Sequence, residues 1–258
     1  MEKNTTRKNL IQSVERALNI LESVRDCKTP IRAIEIARAV GLSSAAANNI
    51  VRTLFIRGYL DQNENGRYVL GGQAYLLGTA ADAWSDLRSA AREPMVRLSH
   101  ATNSLCFLGV EYHQQIIAVN IAESAGPIIV PRNQDWLDQF HCTAAGKVLL
   151  TGMSPGKYAE FKASSQLRKL TGKTICDWEV LEKDLKKVHT SGYALCLDES
   201  VFGISSVAVP VYDKSRNMIA AMAVVFSSYY LTPEFRDTTV KQLKDTALEI
   251  SSRYVRPN

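Results

Sequence analysis

The sequence predicts an α+β chain in two parts, a small helical N-terminal domain and a larger domain of helices packed on an antiparallel sheet. Three observations carry this. Apolar residues between Val14 and Phe55 recur at helical spacing, later segments alternate apolar stretches of strand length with helical blocks, and 258 residues that are 46% apolar and 22% charged supply more than one packed core. Charge divides the chain the same way. Residues 1–75 hold 11 Lys+Arg against 7 Asp+Glu, while the remainder holds 20 against 19. A basic lobe on a neutral body suggests a polyanion-binding module. No apolar run approaches the ~20 residues of a membrane-spanning helix, and the first dozen residues are polar. The five cysteines are odd in number and widely spaced, the habit of reduced thiols. A cytoplasmic chain without disulfides or a membrane partner is expected.

In the N-terminal part, Ser13 is a candidate cap for a first helix that turns Val14, Ala17, Leu18, Leu21 and Val24 inward. Thr29-Pro30 opens a second helix with Ile34, Ile36, Ala37 and Val40 inside, and Gly41 ends it in a left-handed conformation. Ser43 caps a third helix whose inner side is Ala47, Ile50, Val51, Leu54 and Phe55, up to Gly58. A short helix, a tight glycine-containing turn and a longer helix make a helix-turn-helix. Tyr59-Leu60-Asp61 and Arg67-Tyr68-Val69-Leu70 then alternate around Asn65-Gly66, a dipeptide suited to a two-residue hairpin turn. Residues 1–75 are therefore predicted to form a winged helix-turn-helix.

The outer face of the third helix follows from about 100° per residue: with Ala47 at the centre of the buried side, Arg52, Ala45 and Asn49 fall opposite, flanked by Asn48 and Thr53. Asn can bond adenine N6 and N7 together, Ala can touch a thymine methyl, and Arg52 suits a phosphate or guanine. With Ser43 and Ser44 at the helix start and Arg67 on the wing as a phosphate contact, these make the expected DNA-facing set. Alternatively, the strip is a small solvated helix surface.

Residues 76–101 are Ala-rich and read as a helical linker, broken near Pro94. Residues 102–258 then suggest strands at 104–111, 115–121, 128–130, 193–197, 205–212 and 218–226, with helices starting at Ala144, Trp178 and Pro233. Strands interrupted by helices and closed by a C-terminal helix imply an antiparallel sheet with helices on it.

Five segments stand out along the chain: Ser13-Val14-Glu15-Arg16-Ala17-Leu18, Gly41-Leu42, Gly58-Tyr59-Leu60, His141-Cys142-Thr143-Ala144-Ala145-Gly146-Lys147, and Gly203 to Val211 ending in Ala208-Val209-Pro210-Val211. In their order and spacing they together resemble the IclR family of bacterial transcription regulators over nearly the whole chain. The resemblance implies a winged-helix domain that binds double-stranded operator DNA, a helical linker and a GAF-like α/β effector-binding domain, assembled as a homodimer or dimer of dimers. Repression is the expected sense, and no catalysis is implied. Two departures stand out. The recognition helix has Ser44-Ala45-Ala46 and Asn49 where many relatives have Lys-Ser-Thr and Arg. In the effector domain, Ser206 takes the place of a frequent Cys, Cys196 that of an acid, and Ala223-Val224-Val225 that of a Ser-x-Ser. By this resemblance, a larger and less polar effector is implied.

The residues themselves allow an effector site. Thr143 as an N-cap leaves the N–H groups of Ala144, Ala145 and Gly146 at the positive end of a helix, a place for a carboxylate or merely a capped core helix. Lys147 adds charge there or faces water. Asp198 and Glu199 can receive a ligand hydroxyl or stand as exposed turn acids. Cys106, Cys196, Ser206, Ala223 and Val225 complete the expected lining, so the effector is expected to be a small organic acid with an apolar body.

Enzyme readings fail on spacing. Gly172-Lys173-Thr174 lacks the earlier glycine of a phosphate loop, the Cys and His residues form neither a triad pattern nor zinc pairing, and no Gly-x-Ser-x-Gly or Gly-x-Gly-x-x-Gly occurs. No cofactor or metal is expected. The competing class is a small-molecule sensor whose N-terminal domain makes protein contacts without binding DNA.

Overall fold

The computed structural model describes residues 10–27, 29–80, 83–124 and 139–255. Its contacts divide the chain into Met1–Ala83 and Trp84–Asn258.

The first unit contains α1 (Gln12–Asp26), α2 (Ala33–Ala39), α3 (Ser44–Ile56), the hairpin of β1 (Leu60–Gln62) and β2 (Tyr68–Leu70), and α4 (Gly72–Ala80). Its core gathers Ile20, Val24, Ile31, Ile36, Val51, Leu54 and Leu60. Helix α1 begins one residue before Ser13, with Ile11 at the N-cap and no side-chain cap. It also buries a different stripe from the one expected. Ile20 and Val24 are inside, whereas Val14 and Leu18 are each 52% exposed. The helix carries two apolar stripes, at Ala17-Ile20-Leu21-Val24 and at Ile11-Val14-Leu18, and the small core has room for one. Ile34 and Phe55, expected inside, are likewise exposed. Gly41 has φ +66 and Ser43 accepts the Ala46 N–H, both as expected.

The hairpin differs from the expected two-residue turn. Its last strand pair is Gln62 with Tyr68, so residues 63–67 form the connection. There the Asn63 carboxamide oxygen accepts the N–H groups of Asn65 and Arg67, giving the backbone a local alternative to the ladder. Gly66 still supplies the positive φ, at +69.

The second unit is a five-stranded antiparallel sheet ordered β4-β3-β7-β6-β5. Its strands are β3 (Leu105–Tyr112), β4 (Gln115–Ala122), β5 (Ala194–Leu197), β6 (Ile204–Tyr212) and β7 (Met218–Ser227). The suggested strand at 128–130 lies outside the described residues. Strand alternation sorts the side chains. Cys106, Leu108, Val207, Val209, Met222 and Val224 point to one face under helices α5 (Ser85–Thr102) and α9 (Pro233–Arg253). Leu105, Phe107, Ala208, Ala223 and Val225 point to the other, under α6 (Ala144–Thr151), α7 (Pro155–Ser164) and α8 (Trp178–Ser191).

Pro94 does not break its helix. It lies buried inside α5, where the apolar face of Leu87, Ala91, Met95 and Leu98 offsets the one backbone bond that proline removes. Much of the expected linker is thus part of this core. Helix α7 is absent from the sequence reading, although Ser154 before Pro155 is an N-cap followed by proline at the first helical position, and Ser154 does accept the Lys157 N–H.

Candidate functional site: an outward helix face and a capped helix over the sheet

On α3 the residues expected to face DNA divide by what they touch. Ser44, Ala45, Asn48, Asn49 and Arg52 are exposed, while Ala47, Val51 and Leu54 are buried. Among the described residues, the side chains of Asn48, Asn49 and Arg52 have no partner. Their donors and acceptors are available. Ser43 is occupied as the cap, and the Thr53 hydroxyl donates to the Asn49 carbonyl at 2.9 Å, so Thr53 keeps only its lone pairs for a ligand.

Arg67 is partly engaged within its own unit. Its guanidinium turns back on its own unit, donates to the Pro30 carbonyl at 3.1 Å and lies 3.9 Å from Glu35. The cause is the bridge between Ile31 and Tyr68, which lays the chain before α2 alongside β2 and brings the Pro30 carbonyl under the arginine. Arg67 braces the wing root through Nη1, and its side chain remains 35% exposed.

In the second unit, Thr143 caps α6 by accepting the Gly146 N–H at 3.1 Å. The Ala144 N–H donates to Ser206 Oγ at 3.4 Å. Two of the three expected free donors are therefore used, and among the described residues only the Ala145 N–H lacks an acceptor. Ser206 makes good part of the loss. Its oxygen accepts from Ala144, so its own hydroxyl proton can be donated to a ligand.

Strand register lays the floor beneath this helix end. Cys196, Ser206, Val225 and Leu105 stand in one cross-strand row, and Ala194, Ala208, Ala223 and Phe107 in the next. Four expected lining residues, Cys196, Ser206, Ala223 and Val225, are thus brought together under Thr143 to Ala145. Cys106 is not among them. It neighbours Leu105 and Phe107 in sequence, so the period of two sends it to the opposite face, into the core with α5 and α9.

Both acids have partners in the fold. The Asp198 carboxylate accepts from the Gly203 N–H at 2.9 Å, the Lys173 ammonium at 2.7 Å and the Ser228 hydroxyl. These partners, Lys173 first, hold its pKa below the usual value. It fastens the β5–β6 turn and has little left to offer a ligand hydroxyl. Lys147, in the first turn of α6, does not face water. It is 1% exposed, with its ammonium 2.7 Å from Glu199 Oε1 and 2.8 Å from Asp184 Oδ2. Burial opposes its charge, but Glu199 and the other neighbours outweigh that and raise its pKa, so it stays an ammonium. Burial raises the pKa of Glu199, whose Oε2 is enclosed without a partner. Nothing in the sequence marked Asp184, one acid on a charged helix.

His141 is buried, which lowers its pKa, and its Nε2 lies 3.0 Å from the Arg168 carbonyl. Neutral with Nε2 protonated, it fixes the loop beside α6. Burial pushes the thiols of Cys106 and Cys142 up to about 12 and that of Cys196 higher still. At neutral pH they are poor nucleophiles.

Gly146 allows the cap to close. A Cβ there would collide with the Phe140 carbonyl and sit 2.6 Å from Thr143 Oγ1. Gly146→Ala is therefore expected to cost about 1–3 kcal/mol, read as a lower melting temperature, because the obstructing groups are backbone and cap. An unchanged melting temperature would mean that this close approach is not a constraint.

Two family models match. Residues 13–64 match the IclR helix-turn-helix domain, and residues 80–252 match the bacterial transcriptional regulator IclR C-terminal domain. The HTH-type transcriptional regulator XynR of Escherichia coli is 31% identical over 216 residues, covering 83% of this chain and 86% of that protein. The glycerol operon regulatory protein of Streptomyces griseus is 28% identical, covering 93% and 95%. The crystal structure of an IclR homolog from Microbacterium hydrocarbonoxydans, complexed with 4-hydroxybenzoate, shares the fold with a TM-score of 0.80 at 22% identity, covering 94% and 98%. The chain belongs to the IclR family of bacterial transcriptional regulators, with a helix-turn-helix DNA-binding domain and a C-terminal effector-binding domain.

Proposed function

We propose that the protein is a cytoplasmic repressor that occupies operator DNA as a homodimer and responds to a carboxylate with an apolar or aromatic body. The observation that carries the DNA reading is the outward strip of α3, whose Asn48, Asn49 and Arg52 are exposed and unpartnered on a helix fixed by its buried side. Repression is favoured because occupancy requires only DNA binding. The dimer reading rests on the second apolar stripe of α1, with Val14 and Leu18 each 52% exposed, and on α4, where Tyr75 is 72% and Leu77 57% exposed. One recognition helix covers too little DNA for useful specificity, and paired half-sites multiply it.

For the effector, the Ala145 N–H and the Ser206 hydroxyl are two donors for a carboxylate above a floor that is apolar at Ala223 and Val225. A short polar acid would leave its remaining oxygens unpaired there, at about 1–3 kcal/mol each, while each buried CH₂ of a larger acid contributes about 0.8 kcal/mol. A relative bound to 4-hydroxybenzoate agrees with this class.

The test pairs duplex binding over a salt series with calorimetry on pyruvate and 4-hydroxybenzoate. Log affinity for DNA should fall linearly with log salt. The aromatic acid should bind more tightly, and the A223S/V225S variant should shift preference toward pyruvate. A chain that binds no duplex even at low salt would favour the protein-contact alternative, and tight pyruvate binding alone would overturn the effector class.

A further inference from the structure

Eight residues, or about 12 Å, separate the start of α6, where the effector donors lie, from its last turn. That last turn borders a cavity of about 380 Å³. Its apolar lining comes from Leu149 and Met153 at the end of α6 and from Met218 and Ile219 at the start of β7. Its polar lining comes from Glu111 at the end of β3 and from Ser154 and Lys157 at the start of α7.

These polar groups are only partly used. The Glu111 carboxylate accepts the Gln114 N–H at 3.0 Å through Oε1, but its Oε2 receives no hydrogen bond among the described residues. The Lys157 ammonium stands 3.8 Å from that oxygen, longer than a hydrogen bond. Lys157 has a side chain 68% exposed and free to turn, whereas Glu111 is 20% exposed and held by the β3–β4 hairpin. Ser154 Oγ accepts the Lys157 N–H, which leaves its hydroxyl proton to donate. The two helix ends add partial charges of the same sense, negative at the carbonyl end of α6 and positive at the amide end of α7.

We propose that this cavity binds a small zwitterion, an α-amino acid with an apolar side chain, as a second ligand distinct from the effector. The ligand ammonium meets Glu111 Oε2 and the carbonyl end of α6. Its carboxylate meets the Lys157 ammonium and the Ser154 hydroxyl, and its side chain replaces water over Leu149, Met153, Met218 and Ile219. A simple organic acid fits poorly, because the charge held in place in the cavity is the Glu111 carboxylate and like charges repel. A simple amine leaves Lys157 and Ser154 without a counterpart. Met153 and Met218 adapt to ligands of differing shape, so the lining selects for apolar character and size more than for one outline. The volume lies at the small end of ligand sites, which suits an amino acid better than a nucleotide.

The test is calorimetry and thermal shift of the full chain with L-leucine up to about 10 mM, beside 3-methylbutylamine, which lacks the carboxylate, and 4-methylpentanoate, which lacks the ammonium. Leucine should bind about ten-fold more tightly than the amine. Glu111→Gln keeps an acceptor for the Gln114 N–H and should melt like its parent, yet it should weaken leucine about ten-fold or more and leave 4-methylpentanoate unchanged. Lys157→Gln, at an exposed side chain, should weaken leucine without weakening the amine, and it carries the reading if Glu111→Gln melts early. The A223S/V225S variant should bind leucine like its parent, so failure of the effector reading and failure of this one are separable. No leucine binding up to about 10 mM, amine binding as tight as leucine, equal leucine affinity in parent and folded variants, or loss of leucine in A223S/V225S alone would overturn the site.

Discussion

Lys147→Met is expected to cost about 3–5 kcal/mol of folding stability at neutral pH, because it strips two acids of a buried cation. Asp184 is 28% exposed and can turn to water, but Glu199 is only 10% exposed and cannot. The loss should depend on pH. Burial already holds the folded-state pKa of Glu199 above its ordinary 4.5, and removing the ammonium raises it further. A folded state with the higher pKa binds protons more readily than the unfolded chain, so the variant is least penalised in acid and loses stability as pH rises through the folded value. Denaturant titrations at about pH 5 and about pH 8 should show a larger deficit at the higher pH. A second change, Glu199→Leu, should restore much of the stability by removing the stranded charge. A deficit constant across pH, with no recovery in the double variant, would show that Glu199 is not the group left unpaired.

Asn49→Ala should lower affinity for the cognate operator by about 1–3 kcal/mol, roughly ten- to a hundred-fold, if Asn49 makes a bidentate bond to adenine. Affinity for random duplex and the salt slope should stay nearly unchanged, because phosphate contacts carry both. Stability should hold as well, since the Asn49 side chain is exposed and only its carbonyl serves the helix, in the bond from Thr53. Arg67→Gln is the contrasting case. Its guanidinium is tied to Pro30 and lies near Glu35, so the variant should loosen the wing and lower the melting temperature rather than change the salt slope. Equal losses for Asn49→Ala on cognate and random DNA would refute its role as a base reader.

By itself the sequence determined the two-part α+β architecture, the helix-turn-helix with its Ser43 cap and Gly41 turn, five of the strands of the second unit within a residue or so, and the Thr143 cap. These follow from short-range rules, namely periodicity, capping and the conformational freedom of glycine, which operate within a few residues. Tertiary structure decided which of two apolar stripes α1 buries, because either one satisfies the helical period and only the shape of the core chooses between them. It decided the sheet face of Cys106, since a thiol within the apolar run from Leu105 to Val110 has no neighbouring alternation to read, and a one-residue difference in phase inverts the side. Lys147, Asp184 and Glu199 met for the same kind of reason. They lie 37 and 52 residues apart along the chain, and no local signal distinguishes a charge bound for water from one that will find its partners in the interior.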